Sequence, residues 1–369
     1  APRQSKYALI SVIMHEVGHF YFPMIVNSDE RQWTWMDEGL NSFVQSIAER
    51  EWEDDYPTRR ARPESIVPYM TSTEQMPIMT NSESVLQFGA NAYHKPAIAL
   101  NVLRETILGR ELFDHAFRTF AQRWKFKRPQ PADFFRTMED ASGVDLDWFW
   151  RGWFYSTDHV DIALTGVEQF TVDTKDPRVE KAWQREREEA RGDDVSDLRF
   201  PDDLPKRTDT YEDLVDFYTE YDPLEVTAAD RDDHAAALDS LEDWQRDLLD
   251  TDRYFTVLEF ENQGGVVMPI LLELTTDDGE TRELRLPAEI WKLDAERVRK
   301  LVITERELVA VTIDPHRETA DADLSDNRWP AVPVKSRFEL FREKAIPENP
   351  MQREGLGEGR KKDRGESRR

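Results

Sequence analysis

Two histidines four residues apart, with a glutamate directly after the first, are the chain's strongest chemical signal: His15-Glu16-Val17-Gly18-His19. On an α-helix such a pair stands one turn apart on nearly the same face, so both imidazoles can reach one cation. Glu16 is rotated by about 100° from His15, which keeps it off the metal but close enough to hold a water beside it as general base. A third ligand is expected from Glu38, in Trp35-Met36-Asp37-Glu38-Gly39. Thr34 followed three residues later by Asp37 has the form of a capping box, which puts Glu38 in the first turn of a second helix. Catalytic zinc takes three protein ligands and keeps one position open, and two His with one Glu is a recognised set. The chain has no cysteine, so a thiolate site is excluded and one zinc ion held by His15, His19 and Glu38 is the reading these residues support.

Each piece also has a plainer reading. The five-residue motif arises by chance on charged surface helices, and a Glu near a helix N-terminus is ordinary. Here the first helix is apolar rather than charged, and the third ligand sits where a neighbouring helix begins. Ser42, one turn after Glu38, is a candidate for orienting a ligand from behind, though a Ser in mid-helix often only faces solvent. His115, His159, His234 and His316 have no partner at ligand spacing. Asp321, Asp323 and Asp326 lack the Gly and terminal Glu of a calcium loop and read as a solvated turn.

The elements that must position these groups are helices joined by short loops. The pattern predicts helices over 5–22, 34–52, 82–108, 111–124, 131–141 and 145–155, punctuated by prolines. In the first, Ile10, Ile13, Met14 and Val17 lie away from the histidines while Ala8 and Val12 share their side, the pattern of an interior helix. Trp148, Phe149, Trp150, Trp153 and Phe154 read as core rather than as a substrate platform. From 172 to 252 the chain turns acidic, with exposed helices expected over 177–191 and 227–250. Strand patterns follow over 254–260, 266–275, 280–286, 301–304 and 308–313, with hairpin signals between them. The expected fold class is multidomain α+β: a mostly α-helical catalytic lobe over 1–165, an acidic helical connecting region over 166–252, a small β-sandwich over 253–330, and a disordered charged tail over 346–369.

Lys and Arg number 49 against 75 Asp and Glu, a formal charge of −26. That balance argues against a nucleic-acid partner held through phosphates. No apolar run is expected to reach the length of a membrane span. The chain begins at Ala1 and reaches the motif almost at once, the expectation being a fragment of a longer protein.

With its ligands in place, the segment resembles the gluzincin aminopeptidases of the aminopeptidase N family. The likeness rests on the two-histidine motif, the Glu38 spacing in a Trp-x-x-Glu-Gly context, and Ala92-Tyr93-His94-Lys95-Pro96-Ala97, similar to the family's Tyr-x-Lys-Gly-Ala segment with Pro96 in place of Gly. It is specific over 1–155 and loose beyond. It implies a thermolysin-like lobe, peptide or protein substrates, His15, His19 and Glu38 as zinc ligands, Glu16 as base, and Tyr93 as donor to the developing oxyanion. It also implies a periplasmic or secreted location. Departures are Asp37 where the family usually has Asn, Phe20-Tyr21-Phe22 in place of Gln-Trp-Phe, and no Gly-x-Met-Glu-Asn segment, whose Glu anchors a free amino group in the family. Endopeptidase or other hydrolytic chemistry on the same scaffold, and a non-catalytic interaction role, are the alternatives. An upstream β-lobe is expected to complete the substrate cleft.

Overall fold

The computed structural model describes residues 3–58, 62–170, 172–199, 204–249 and 253–332. The charged tail expected over 346–369 lies outside them. The chain divides into two compact units, one of Ala1–Glu168, Thr256–Val302 and Arg306–Arg369, the other of Gln169–Phe255 and Ile303–Glu305.

The first unit begins with α1 (Arg3–Gly18), which passes into a wide turn over Phe20–Ile25. A single tight turn, Thr34–Met36, leads into α2 (Glu38–Trp52). The capping box expected of Thr34 and Asp37 does not form. Thr34 is buried, and its hydroxyl donates instead to the Glu30 carbonyl at 2.8 Å. The helix expected from 82 starts late. Ser82 is tied through both its N–H and its hydroxyl to the Arg31 carbonyl, which holds this stretch as a loop. Helix begins at 89 with a widened turn, Gly89–His94, continues as Lys95–Val102, and closes with a second wide turn, Leu103–Ile107. Pro96 has no N–H to give to the turn before it and follows directly on the widened one. The 89–107 helix is then surrounded, with Ala97, Ile98, Ala99, Leu100 and Leu103 all fully buried.

Helices Arg110–Trp124 and Pro131–Ser142 and the turns over 147–155 complete the helical part. Its core is aromatic. Trp35 stacks on Phe135 at 5.8 Å and meets Phe154 edge-on at 4.9 Å, while Phe149, Trp153 and Phe154 are fully buried. The aromatic run over 148–154 is therefore core, as expected of so much apolar ring surface.

Among the described residues seven strands follow: β1 (Ile162–Phe170), β2 (Tyr254–Asn262), β3 (Ile270–Thr276), β4 (Thr281–Leu286), β5 (Arg297–Thr304), β6 (Leu308–Ile313) and β7 (Arg328–Trp329). They form two sheets, ordered β1-β2-β5 and β4-β3-β6-β7. Leu272 of β3 sits opposite Leu284 of β4 on one side and Ile313 of β6 on the other. β2 buries alternate residues, Thr256, Leu258, Phe260 and Asn262, the period expected of a half-buried strand. β1 falls where the sequence reading ended a helical lobe and began an acidic connector. Its partner β2 comes from far along the chain, so no local hairpin signal marks it.

Within the second unit, Pro177–Arg191 and Ala228–Asp239 are helices with no buried residue. Each has a side-chain cap, Asp176 accepting from the Arg178 N–H and Thr227 forming a capping box with Asp230. Lys181 joins them through an ion pair to Asp230 at 2.6 Å.

Two expectations about α1 are corrected. Lys6–Ile25, 20 residues, is long and apolar enough to cross a membrane by length and composition alone. It is also not an interior helix. Leu9, Val12, Ile13 and Val17 are all more than half exposed. Apolar residues run round the helix, but among the described residues α2 covers only the side that carries Tyr7, Ser11 and His15.

The Asp321 turn is also drier than expected. Asp321 is only 7% exposed, and its carboxylate accepts from the Ile162 N–H at the start of β1 and from the Asp323 N–H. Burial, with the nearby Asp161 adding to it, pushes Asp321 up to about 7. The folded form thus holds a proton that the unfolded chain releases near 4, and the stability this contributes is lost as pH rises through about 7. Asp321→Asn should therefore be more stable than the wild type at pH 8 by roughly 1–3 kcal/mol, with the gap narrowing below about pH 7 and closing only below about pH 4, in urea unfolding curves.

Candidate metal centre

α1 and α2 run antiparallel, and their contact is a ladder of polar side chains at helical spacing. The Tyr7 hydroxyl donates to Glu53. The Ser11 hydroxyl donates to Glu49 at 2.6 Å. His15 meets Gln45 at 2.9 Å through Nδ1 and Glu38 at 2.9 Å through Nε2. Asn41 Nδ2 donates to the His15 carbonyl at 2.7 Å. Asn41 also explains Gly18: a Cβ there would lie 1.9 Å from Asn41 Oδ1.

This register brings three predicted ligands together. His19 Nε2 lies 3.4 Å from the same Glu38 Oε2 that His15 Nε2 approaches, and the ligand atoms of His15, His19 and Glu38 all fall within 4.8 Å of one another. A tetrahedral ion with bonds of about 2.0–2.1 Å has ligand edges of roughly 3.3 Å, so the set fits zinc with little movement. The far ring nitrogens agree. His19 Nδ1 donates to the Phe22 carbonyl at 2.9 Å, an acceptor supplied by the wide turn after α1. With both Nδ1 atoms engaged behind the rings, both Nε2 atoms point inward at Glu38 Oε2, the contact an ion would replace.

Glu38 is placed by packing on either side of it. Trp35, pinned among Phe134, Phe135 and Phe154, fixes the entering turn. Gly39 presses against the 89–107 helix, where a Cβ would meet Pro96 Cγ at 2.6 Å, Pro96 Cβ at 2.8 Å and the Ala92 carbonyl at 3.0 Å. Pro96 therefore occupies its position by fitting against the bare backbone of Gly39. Burial would raise the Glu38 carboxyl, but hydrogen bonds from His15 and Tyr93 and the charge of His19 outweigh it and leave it below the usual value.

Tyr93 comes from the widened turn Gly89–His94. Its ring stacks on His15 at 5.6 Å, and its hydroxyl bonds Glu38. Glu16, exposed on α1, lines the same 320 Å³ cavity as His15, His19, Glu38, Gln45 and Tyr93. Its position beside the ligands without joining them matches the expectation from helical geometry. Ser42 is fully buried and does not line this cavity. The side chain behind His15 is Gln45, which the sequence reading did not single out. The signal was available, since Gln45 stands seven residues after Glu38 on the same face of α2. His94 bonds Ser65 at 2.9 Å, away from the ligands.

Asp37 is buried, and its Oδ1 lies 3.1 Å from His19 Nδ1 without receiving a hydrogen bond. Burial first, then the neighbouring Glu38, pushes its carboxyl up to about 8, so near pH 7 it is largely neutral, as the Asn of the resembled family would be. A larger cleft of 740 Å³, lined by Phe135, Trp148, Trp150, Tyr155 and Trp291, holds none of these residues. The carboxylates at its edge, Glu139, Asp145 and Asp147, lie close together, but Glu139 is engaged by the Leu146 N–H and Trp150 Nε1.

Gly39→Ala should cost about 1–3 kcal/mol by overpacking and displace the adjacent Glu38. Gly89→Ala, whose Cβ would meet nothing within 4 Å, serves as control. Urea unfolding and zinc titration together check this, the control changing neither measurably.

The model of the peptidase family M1 domain matches residues 1–153. Human glutamyl aminopeptidase is 25% identical over 175 residues, 45% of this chain and 18% of that protein. The bovine enzyme is 27% identical over 150 residues, 38% and 16% of the two chains. The chain thus spans under a fifth of the length of these relatives. Among solved structures, Legionella pneumophila aminopeptidase A aligns over 84% of this chain and 26% of its own, with TM-score 0.46 and 14% identity. An M1 zinc metallopeptidase from Deinococcus radiodurans aligns over 39% and 32%, with TM-score 0.34 and 19% identity. The family M1 domain is thus matched by residues 1–153 of this chain, with the ligand motif inside the matched segment.

Proposed function

We propose that residues 1–153 carry the metal site and general base of a zinc metallopeptidase that removes N-terminal residues from peptides. The observation that carries this reading is the convergence of His15 Nε2 and His19 Nε2 on one oxygen of Glu38, with Glu16 and Tyr93 on the same cavity. A bound zinc ion would supply Lewis acidity, lowering the pKa of water and polarising a carbonyl. His15, His19 and Glu38 would hold it. Glu16 takes the proton from the attacking water and returns it to the leaving amine. Tyr93 turns its hydroxyl from Glu38 to the oxygen that gains charge as the peptide carbonyl becomes tetrahedral.

The choice of N-terminal residues over internal bonds follows the relatives, which are named glutamyl aminopeptidases. Cleavage of internal bonds on the same scaffold is the second reading, favoured by the openness of the Glu16 side of the cavity. An intact ligand set, base and phenol argue against a purely non-catalytic role.

Glu16→Gln should lower peptide hydrolysis by about 10²–10⁴-fold while keeping one zinc per chain by elemental analysis. Hydrolysis at the wild-type rate would remove Glu16 from the mechanism. Tyr93→Phe should lower kcat by roughly 10²–10³-fold with little change in KM. Comparing a peptide with its N-acetylated counterpart separates the readings, since only an internal cleaver processes both.

A further inference from the structure

The amide of Gln45 stands behind His15, and its own orientation is dictated from further back. Gln45 Nε2 donates to Glu49 Oε1 at 2.7 Å and to the Ser11 carbonyl at 3.1 Å. Both are acceptors only, so the NH₂ must face them. Gln45 Oε1 is thereby turned to His15 Nδ1 at 2.9 Å. An oxygen in that place can only accept, so Nδ1 must carry a hydrogen, and the hydrogen that Nε2 directs at Glu38 Oε2, 2.9 Å away, is the one a metal ion would displace. Glu49 is in turn held by the Ser11 hydroxyl at 2.6 Å, which also lies 2.8 Å from the Tyr56 hydroxyl. Gln45 and Glu49 are 6% and 5% exposed, so water competes poorly for any of these bonds.

We propose that Gln45 and Glu49 are positioning residues for the metal centre: Glu49 orients the Gln45 amide, and the amide fixes His15 in the tautomer that presents Nε2 to zinc. Neither residue touches metal or substrate. The inference rests on the reading of His15 as a metal ligand. A relay of this length leaves a definite trace. Removing the amide frees the imidazole to place its proton on either nitrogen, and removing Glu49 frees the amide to flip and present its NH₂ to His15. In both cases part of the population turns an N–H toward the metal.

The test uses the full chain with zinc alone as probe. Zinc affinity is read by competition with a chromophoric chelator, and the His15 tautomer in the metal-free protein by ¹⁵N chemical shifts of the imidazole. Gln45→Met and Glu49→Leu should each weaken zinc about 10–100-fold. Both should convert His15 Nδ1 from always hydrogen-bearing to a mixture, leaving His19 unchanged. Glu49→Gln keeps an acceptor for the Gln45 NH₂ and should restore both readouts to within about threefold, a rescue that packing loss alone would not give. If Glu49→Leu does not fold, Gln45→Met and Glu49→Gln still decide the matter. Unchanged affinity and an unchanged His15 tautomer in Gln45→Met overturn the proposal. His15→Ala separates the two levels. Retained zinc affinity there sinks the metal-ligand reading itself, whereas its loss beside an unaffected Gln45→Met sinks only the relay.

Discussion

The metal centre depends on the register between α1 and α2, and that register is set by polar groups rather than by grease. Tyr7, Ser11, His15 and Gly18 recur at helical spacing along one helix and meet Glu53, Glu49, Gln45 and Asn41 in reverse order along the other. Apolar side chains tolerate sliding, because burial has little direction. A ladder of buried hydrogen bonds does not, since a shift by one turn would leave several donors and acceptors unpaired at about 1–3 kcal/mol each. The geometry that brings two imidazoles onto one carboxylate oxygen is thus specified well behind the site as well as at it.

The third helix is held by a different device. Where α2 crosses the 89–107 helix, Gly39 lets the Pro96 ring rest against backbone, and Tyr93 reaches the ligands from the widened turn just before. Lys95, next to Pro96, is fully buried, with its ammonium on Gln75 Oε1 at 2.7 Å. Gln75 in turn donates to the carbonyls of Met70 and Thr157. The segment that resembles the family's Tyr-x-Lys-Gly-Ala run therefore divides its labour: the tyrosine faces the chemistry, while the lysine and proline anchor the helix that delivers it.

Much of the site was legible in the sequence because its key features are local. The turn spacing of His15 and His19 follows from the helix itself, and the position of Glu38 follows from where the next helix starts. Groups that act across the α1–α2 contact were harder to see. Gln45 and Glu49 carry no motif, and their meaning appears only when α2 is laid against Ser11 and His15. Thr34 misled for a similar reason: a capping signature competes with any nearby carbonyl, and Glu30 won. In the fold, helices with amphipathic or capped sequences were found close to their expected places. β1 was missed because its partner is remote in sequence, and the start at 82 because a loop contact with Arg31 outweighed helix propensity.

The open side of α1 gives the centre a second boundary. Leu9, Ile13 and Val17 form an exposed apolar row on the side of α1 away from the ligands, and Glu16 stands at the border between the two. Whatever lies against that row, be it water or an apolar body, sets the local dielectric around Glu16. Charge–charge coupling scales inversely with that dielectric. The strength with which Glu16 feels a cation one helical turn away is thus adjustable from outside the ligand set, without moving a single coordinating atom.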